Sequence, residues 1–153
     1  MDVSGIPIGE LLPHGPEMTV IDRLVEYGPQ RSVATVLVTE TSPFVVGYAV
    51  PAWVGIEYMA QTIAAHAGFE ARLRGEKPAI GFLLGTRAYA SDVGEFALGS
   101  TLTISVEPVV MEARLAAFQC SIATDRVVAR AVVNTYQPDA RELAGFGGGA
   151  PPT

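Results

Sequence analysis

The sequence predicts an α+β fold in which a curved antiparallel sheet wraps around one long central helix. Between Pro51 and Arg74 the chain has no further proline, and apolar or small side chains would cover almost every side of a helix. After this run the hydrophobic period changes to two, as in Thr101–Val106, which is typical of strands. Short polar turns join these segments and therefore indicate antiparallel pairing.

The segments before the helix are short. The first dozen residues mix turn formers with aliphatic side chains, which predicts a short helix or loop packed on the domain. Pro13 and Pro16 bracket His14 and predict an extended, turn-rich segment. Strands are predicted at Thr19–Glu26 and Val33–Thr39, before a loop that leads into the helix.

The helix is predicted to begin near Pro51, which suits a first turn, and to end at Gly75 and Pro78. At about 100° per residue, Trp53 and Gln61 share a flank with Glu57, whereas His66 points away. Small residues would let another backbone approach the helix closely: Ala60, Ala64, Ala65, Ala67 and Gly68.

Four more strands are predicted after the helix, at Ile80–Tyr89, Thr101–Val106, Leu115–Ala123 and Val127–Tyr136. The C-terminal residues FGGGAPPT are low in complexity and predict a frayed end. We therefore expect one domain over residues 1–138 and a flexible tail over 139–153.

Composition excludes several classes of function. A chain of 153 residues with 49% hydrophobic residues is long enough for one domain with a core. A net charge of −6 argues against a nucleic-acid or anionic membrane surface. Neither a signal peptide nor a span of about 18 apolar residues is apparent, so a soluble cytoplasmic protein is expected. The single cysteine, Cys120, is expected to pack as a small core residue.

Glu57 is the candidate catalytic acid. Burial among apolar groups disfavours the charged form of a carboxylate, and such a group can give or take a proton as a general acid or base. The alternative is that a helix start favours a negative charge, with Glu57 partly solvated about two turns in.

The two histidines, His14 and His66, do not form a metal site. Together with one cysteine they lack the ligand spacing of zinc sites, so no metal is expected. His66 lies on the helix face opposite Glu57 and is expected to be structural. His14 lies in a proline-braced loop, where functional groups are often held.

Three segments resemble the short β-hydroxyacyl-acyl-carrier-protein dehydratases. LLPHGPEMTVIDRL is similar to their LPH…DR signature, and VPAWVGIEYMAQ is similar to the segment that opens their helix. GFLLGTRAY and the final strand pair follow in the family's order, so the resemblance covers roughly residues 10 to 137. The segment WVGIEYMAQ most resembles the dehydratase-like proteins of aryl-polyene pathways.

This resemblance implies a hot-dog fold and dehydration of 3-hydroxyacyl chains on an acyl carrier protein, in fatty-acid or polyene-type biosynthesis. It implies a dimer with continuous sheets and no bound cofactor. The family's helix acid corresponds to Glu57, and the amide that polarises the thioester carbonyl corresponds to Ala52, where the family has glycine. Trp53, Gln61 and Tyr48 are the further expected substrate-binding residues.

The family's loop histidine does not carry over. Its position falls on Pro43, and proline cannot transfer a proton. His14 is the expected substitute, and Tyr48 is a weaker one because a phenol has a high intrinsic pKa. Three hypotheses follow: an active dehydratase, a non-catalytic partner subunit of a heteromeric dehydratase, and a hot-dog thioesterase, since one fold can host several reactions.

Overall fold

A computed structural model describes residues 1–78 and 82–136, with the side chains of 82–84 outside that description. The described part contains one long helix, α1 (Gly55–Leu73), and short 3₁₀ turns at Ile8–Glu10, Pro16–Met18 and Ala52–Val54. The strands of that part are β1 (Arg23–Glu26), β2 (Ser32–Leu37), β3 (Ala49–Pro51), β4 (Phe82–Ser91), β5 (Glu95–Ala97), β6 (Thr101–Glu112), β7 (Leu115–Ala123) and β8 (Val127–Tyr136).

Six strands form one antiparallel sheet in the order β1-β2-β6-β7-β8-β4, and β3 pairs separately with β5. Every pairing is antiparallel, as the short turns predict. Strand β4 follows the helix and lies at one edge of the sheet, whereas β1 lies at the other. The predicted α+β architecture is therefore confirmed.

The core lies between the sheet and α1. One row of paired residues crosses four neighbouring strands, and all its side chains are fully buried: Ala34, Ile104, Ile122 and Ala129. Strand β6 alternates buried and more exposed residues over Thr101–Glu107, which is the period-two pattern of its sequence. Cys120 is also buried, and burial raises the pKa of its thiol to about 12. It is a core residue, as expected.

The helix is buried on most of its surface, and Gly68 permits a close backbone approach. A Cβ at Gly68 would overlap the carbonyl oxygen of Leu11, a residue with no exposed surface. The N-terminal segment therefore packs directly on the helix, which confirms the prediction from the helix's small residues. No helix among the described residues is long and apolar enough to cross a bilayer.

Several predicted boundaries were wrong, and two of them concern the site. Residues 52–54 wind as a 3₁₀ turn, so α1 begins at Gly55 and Glu57 lies in its first turn instead of two turns in. The first strand begins at Arg23 and not at Thr19. The Val20 N–H donates to the side chain of Gln61 and is therefore not available to a neighbouring strand.

Other predicted segments lie outside the described residues. These are Ile80 and the flexible tail at 139–153, so the tail and the end of the domain at 138 stay predictions. Strand β6 extends beyond the predicted Val106 to Glu112. A register shift between Pro108 and Val110 breaks the alternation there, and the extension was missed for this reason.

Candidate active site

Glu57 lies half-buried in the first turn of α1, and Gln61 lies one turn later with 1% of its surface exposed. The Gln61 amide nitrogen donates a hydrogen bond to Glu57 Oε1 at 3.1 Å. Residues four apart on a helix are neighbours, so the spacing of these two residues produces the contact directly. The predicted proximity of Gln61 to Glu57 is observed.

Gln61 also holds the segment that follows His14. Its Nε2 donates to the Met18 carbonyl at 2.6 Å, and its Oε1 accepts from the Val20 N–H at 2.8 Å. A backbone N–H requires an acceptor, which fixes the orientation of the amide. Both ends of the amide are thus engaged, and it ties Glu57 to the loop segment before β1.

Glu57 keeps one oxygen available. Within residues 1–78 and 82–136, Gln61 is its hydrogen-bond partner through Oε1, and no hydrogen bond or ion pair involves Oε2. A carboxylate fixed through one oxygen can use the other to exchange a proton with a ligand. The helix start adds a favourable field for its negative charge, because Glu57 lies in the first turn.

The Ala52 amide is already engaged. Its N–H donates to the Gly94 carbonyl at 3.0 Å, and its own carbonyl accepts from the Tyr89 hydroxyl at 2.5 Å and from the Gly55 N–H. The donor expected to polarise a thioester carbonyl therefore has another acceptor in this structure. The β4–β5 segment, which supplies Tyr89 and Gly94, holds the start of the helix.

Four large apolar side chains are exposed in the segment before α1, and we call Phe44, Val46, Tyr48 and Trp53 the apolar rim. Their exposed fractions are 52%, 71%, 85% and 61%. The rings of Phe44 and Trp53 meet edge to face with centroids 5.6 Å apart. Phe44 has a φ of 67°, which is uncommon for a residue with a side chain. The chain thus exposes four large apolar side chains just before α1.

The two histidines lie in different surroundings. His14 is half-buried between the first two 3₁₀ turns, and in the described part of the chain its ring has no hydrogen-bond or ion-pair partner. His66 is 2% exposed and its Nδ1 lies 2.7 Å from the Ser32 hydroxyl. Its Nε2 lies 3.6 Å from the Glu70 carboxylate, which also accepts from Tyr27. His66 belongs to the core, apart from Glu57.

Sequence reasoning missed Tyr89, Gly94 and Met18, each of which contacts a predicted site residue. Tyr89 and Gly94 lie 37 and 42 positions beyond Ala52, and Met18 lies 43 before Gln61. No local period or turn signal connects residues so far apart. Only the resemblance gave a hint, because Tyr89 ends the segment GFLLGTRAY.

Comparison with solved structures gives a strong match to the dehydratase heterocomplex ApeI:P from Xenorhabdus doucetiae. The TM-score is 0.85 at 29% identity, over 92% of this chain and 97% of the matched chain. A hypothetical thioesterase with coenzyme A from Streptococcus pneumoniae matches with a TM-score of 0.60 at 14% identity, over 76% and 84%. Mouse thioesterase superfamily member 2 gives 0.53 at 12%, over 74% and 79%. The thioesterases share the fold alone, and the predicted hot-dog fold is confirmed.

The family comparison covers nearly the whole chain. Residues 6–146 match the ApeP-like family, described as ApeP dehydratase. No curated protein matches the chain. The chain therefore belongs to the ApeP-like dehydratase family, as its LPH…DR and proline–acid–Ala-Gln segments predict.

Proposed function

We propose that this chain supplies Glu57 to the active site of a heteromeric dehydratase that acts on 3-hydroxyacyl chains carried by an acyl carrier protein. The observation that carries the proposal is the Glu57 carboxylate, fixed by Gln61 through one oxygen and open at the other. The similarity to a chain of the Xenorhabdus doucetiae heterocomplex supports a partner subunit.

The reaction needs two proton transfers. A base takes a proton from the carbon next to the thioester carbonyl, and the electrons of that C–H bond form the new C=C bond. The C–O bond at the next carbon breaks, and the hydroxyl leaves as water with a proton from an acid. Electrons and atoms balance without an oxidant or a redox cofactor. Glu57 carries one of the two transfers.

The second proton-transfer group can come from His14 or from a partner. His14 is the candidate within the chain, although its ring contacts neither Glu57 nor Gln61 among the described residues. The loop before α1 has Pro43 at the position that the resemblance assigns to the family's histidine. We therefore assign the second group to a histidine loop of the partner subunit, with His14 as the alternative.

A backbone amide at the helix start would polarise the thioester carbonyl. The Ala52 N–H already has Gly94 as its acceptor, so the N–H of the following peptide, that of Trp53, is our candidate. The positive end of the helix dipole favours the negative charge that develops on the carbonyl oxygen during proton removal.

Two exposed features fit the partner subunit. Strand β4 is ten residues long, lies at the sheet edge and pairs on one side with β8. An unpaired edge is a template for another strand, which would continue the sheet across the dimer. The apolar rim lies just before α1, and the same partner would cover it.

The non-catalytic subunit stays an alternative, because Pro43 removes the family's proton-transfer group from this chain's own loop. In that case the chain would shape the partner's substrate channel and Glu57 would be dispensable. Loss of activity on changing Glu57 distinguishes the two functions.

The test is to purify the chain alone and together with the ApeI protein of the Xenorhabdus doucetiae heterocomplex, and to follow loss of water from 3-hydroxyacyl carrier protein by mass spectrometry. We expect Glu57→Gln to lower the turnover of the complex by about 10²–10⁴-fold, because a positioned acid or base contributes that much. Glu107→Gln, an exposed glutamate on β6, is the matched control and keeps full activity. Activity unaffected by Glu57→Gln favours the supporting subunit, and absence of turnover in every preparation contradicts the enzymatic proposal.

A further inference from the structure

Tyr89 connects the edge strand β4 to the start of the catalytic helix. Its hydroxyl donates to the Ala52 carbonyl at 2.5 Å, across 37 positions of sequence. Burial raises the pKa of the Tyr89 phenol, so the hydroxyl keeps its proton and remains a donor at neutral pH. The Ala52 N–H donates to the Gly94 carbonyl, and Gly94, like Tyr89, follows the helix in the sequence. Both polar backbone groups of Ala52 are thus fixed by residues that follow the helix.

Gly55 makes room for this contact. A Cβ at Gly55 would overlap the Tyr89 hydroxyl oxygen and would lie 2.9 Å from Ile122 Cδ1. Gly55 is buried at the first position of α1, where alanine would otherwise be the better helix former. The glycine and the tyrosine therefore form one arrangement, and Glu57 lies two residues further along the same turn.

We propose that Tyr89 is a positioning residue for the dehydratase site, which it serves by fixing the peptide that joins Ala52 to Trp53. This inference rests on the proposed function. The peptide is planar and trans, so its N–H points opposite to its C=O. With the Ala52 carbonyl held by Tyr89, the Trp53 N–H is directed away from Tyr89. A hydrogen bond to the carbonyl also polarises the peptide and strengthens its N–H as a donor.

Substitution of Tyr89 by Phe removes the hydroxyl and little else. In the complex with the partner subunit, we expect about a tenfold fall in kcat with little change in KM, because the loss of orientation acts on the developing charge more than on substrate binding. Tyr27→Phe is the matched control. It removes a tyrosine hydroxyl that donates to Glu70 at 2.8 Å, toward the other end of α1. It should leave kcat unchanged.

A spectroscopic readout tests the contact without any activity. Trp53 is the only tryptophan in the sequence, and its backbone N–H belongs to the peptide that joins Ala52 to Trp53. We expect Tyr89→Phe to change the emission maximum or anisotropy of Trp53 and Tyr27→Phe to leave both unchanged. A Gly55→Ala variant should be destabilised, and the double variant Gly55→Ala/Tyr89→Phe should recover part of the lost thermal stability, because the overlapping oxygen is gone.

The outcomes separate the two proposals. If the wild-type complex dehydrates its substrate and Tyr89→Phe retains kcat, the positioning role is wrong and the proposed function stands. If no preparation dehydrates the substrate, the proposed function fails. Trp53 emission and the stabilities of Gly55→Ala and Gly55→Ala/Tyr89→Phe then still decide whether Tyr89 holds the helix start. An unchanged Trp53 signal together with no recovery in the double variant overturns the arrangement itself.

Discussion

At Gln61 one buried amide meets three partners: the Glu57 carboxylate, the Met18 carbonyl and the Val20 N–H. A polar side chain with 1% exposure would destabilise the core if these partners were missing. The amide is therefore stable in an apolar setting, and it gives Glu57 a fixed direction. This arrangement explains why an otherwise apolar helix has an acid and an amide one turn apart.

His66 shows a different use of polar groups, in the core away from Glu57. Its Nδ1 contacts the Ser32 hydroxyl, and the Tyr27 and Phe118 rings pack against it at centroid distances of 5.2 and 5.9 Å. Burial lowers the pKa of His66, and the nearby Glu70 carboxylate opposes this shift to a smaller extent. The phenol of Tyr27, which contacts Glu70, has its pKa raised to about 12 and stays neutral.

The first prediction at this scale concerns pH. Because the pKa of His66 is lower when folded than its unfolded value of 6.5, the unfolded chain binds more protons in the window just below that value. The His66 contribution to stability is therefore fully present above pH 6.5 and is lost as the pH falls toward the folded pKa. We expect the free energy of unfolding, measured with urea, to decrease more steeply in the wild type than in His66→Gln as the pH is lowered below 6.5. Parallel pH profiles for the two proteins would show that folding does not lower the pKa of His66.

At the scale of elements, the helix is positioned by contacts at both ends. Its start is held by Tyr89 and Gly94, through Ala52, and its second half packs on the N-terminal segment at Leu11. The helix also packs on all six strands of the large sheet. These contacts come from both sides of the sequence, so the direction of Glu57 depends on the whole domain.

Gly68→Ala tests the packing of the helix. Alanine is favoured over glycine inside an exposed helix by about 1 kcal/mol. At Gly68 the new methyl group overlaps the Leu11 carbonyl, so we expect destabilisation by about 1–3 kcal/mol instead. Gly9→Ala, where nothing lies within 4 Å of the added carbon, is the control and should leave the melting temperature unchanged. A stabilised Gly68→Ala protein would mean that the N-terminal segment is not packed there.

At the scale of the whole molecule, the proposed site is incomplete within one chain. The described structure provides an acid, its positioning amide and a backbone dipole, but Pro43 stands where a proton-transfer group would be expected. A homodimer would repeat this deficit in both sites. Pairing with a homologous subunit that carries the histidine would complete one site, the one that uses Glu57.

Pro43→His therefore predicts a gain of function. If the second proton-transfer group comes from this loop across the subunit interface, Pro43→His should let the chain dehydrate a 3-hydroxyacyl thioester without a partner. Analytical ultracentrifugation establishes that the variant is a dimer, and Pro43→His/Glu57→Gln serves as the inactive control. A dimeric Pro43→His protein without turnover, beside an active wild-type complex, would move the second group to His14.

The sequence by itself determined the architecture and the position of the acid. Hydrophobic periods of 3.6 and 2 predicted the helix and the six strands of the large sheet, since they depend only on near neighbours, but not the three-residue strands β3 and β5. The spacing of four placed Gln61 beside Glu57. The tertiary structure alone decided that the helix begins at Gly55, that the Ala52 amide is taken by Gly94, and that Tyr89 holds the same residue. These last facts join residues about forty positions apart, and only folding brings such groups within hydrogen-bond distance.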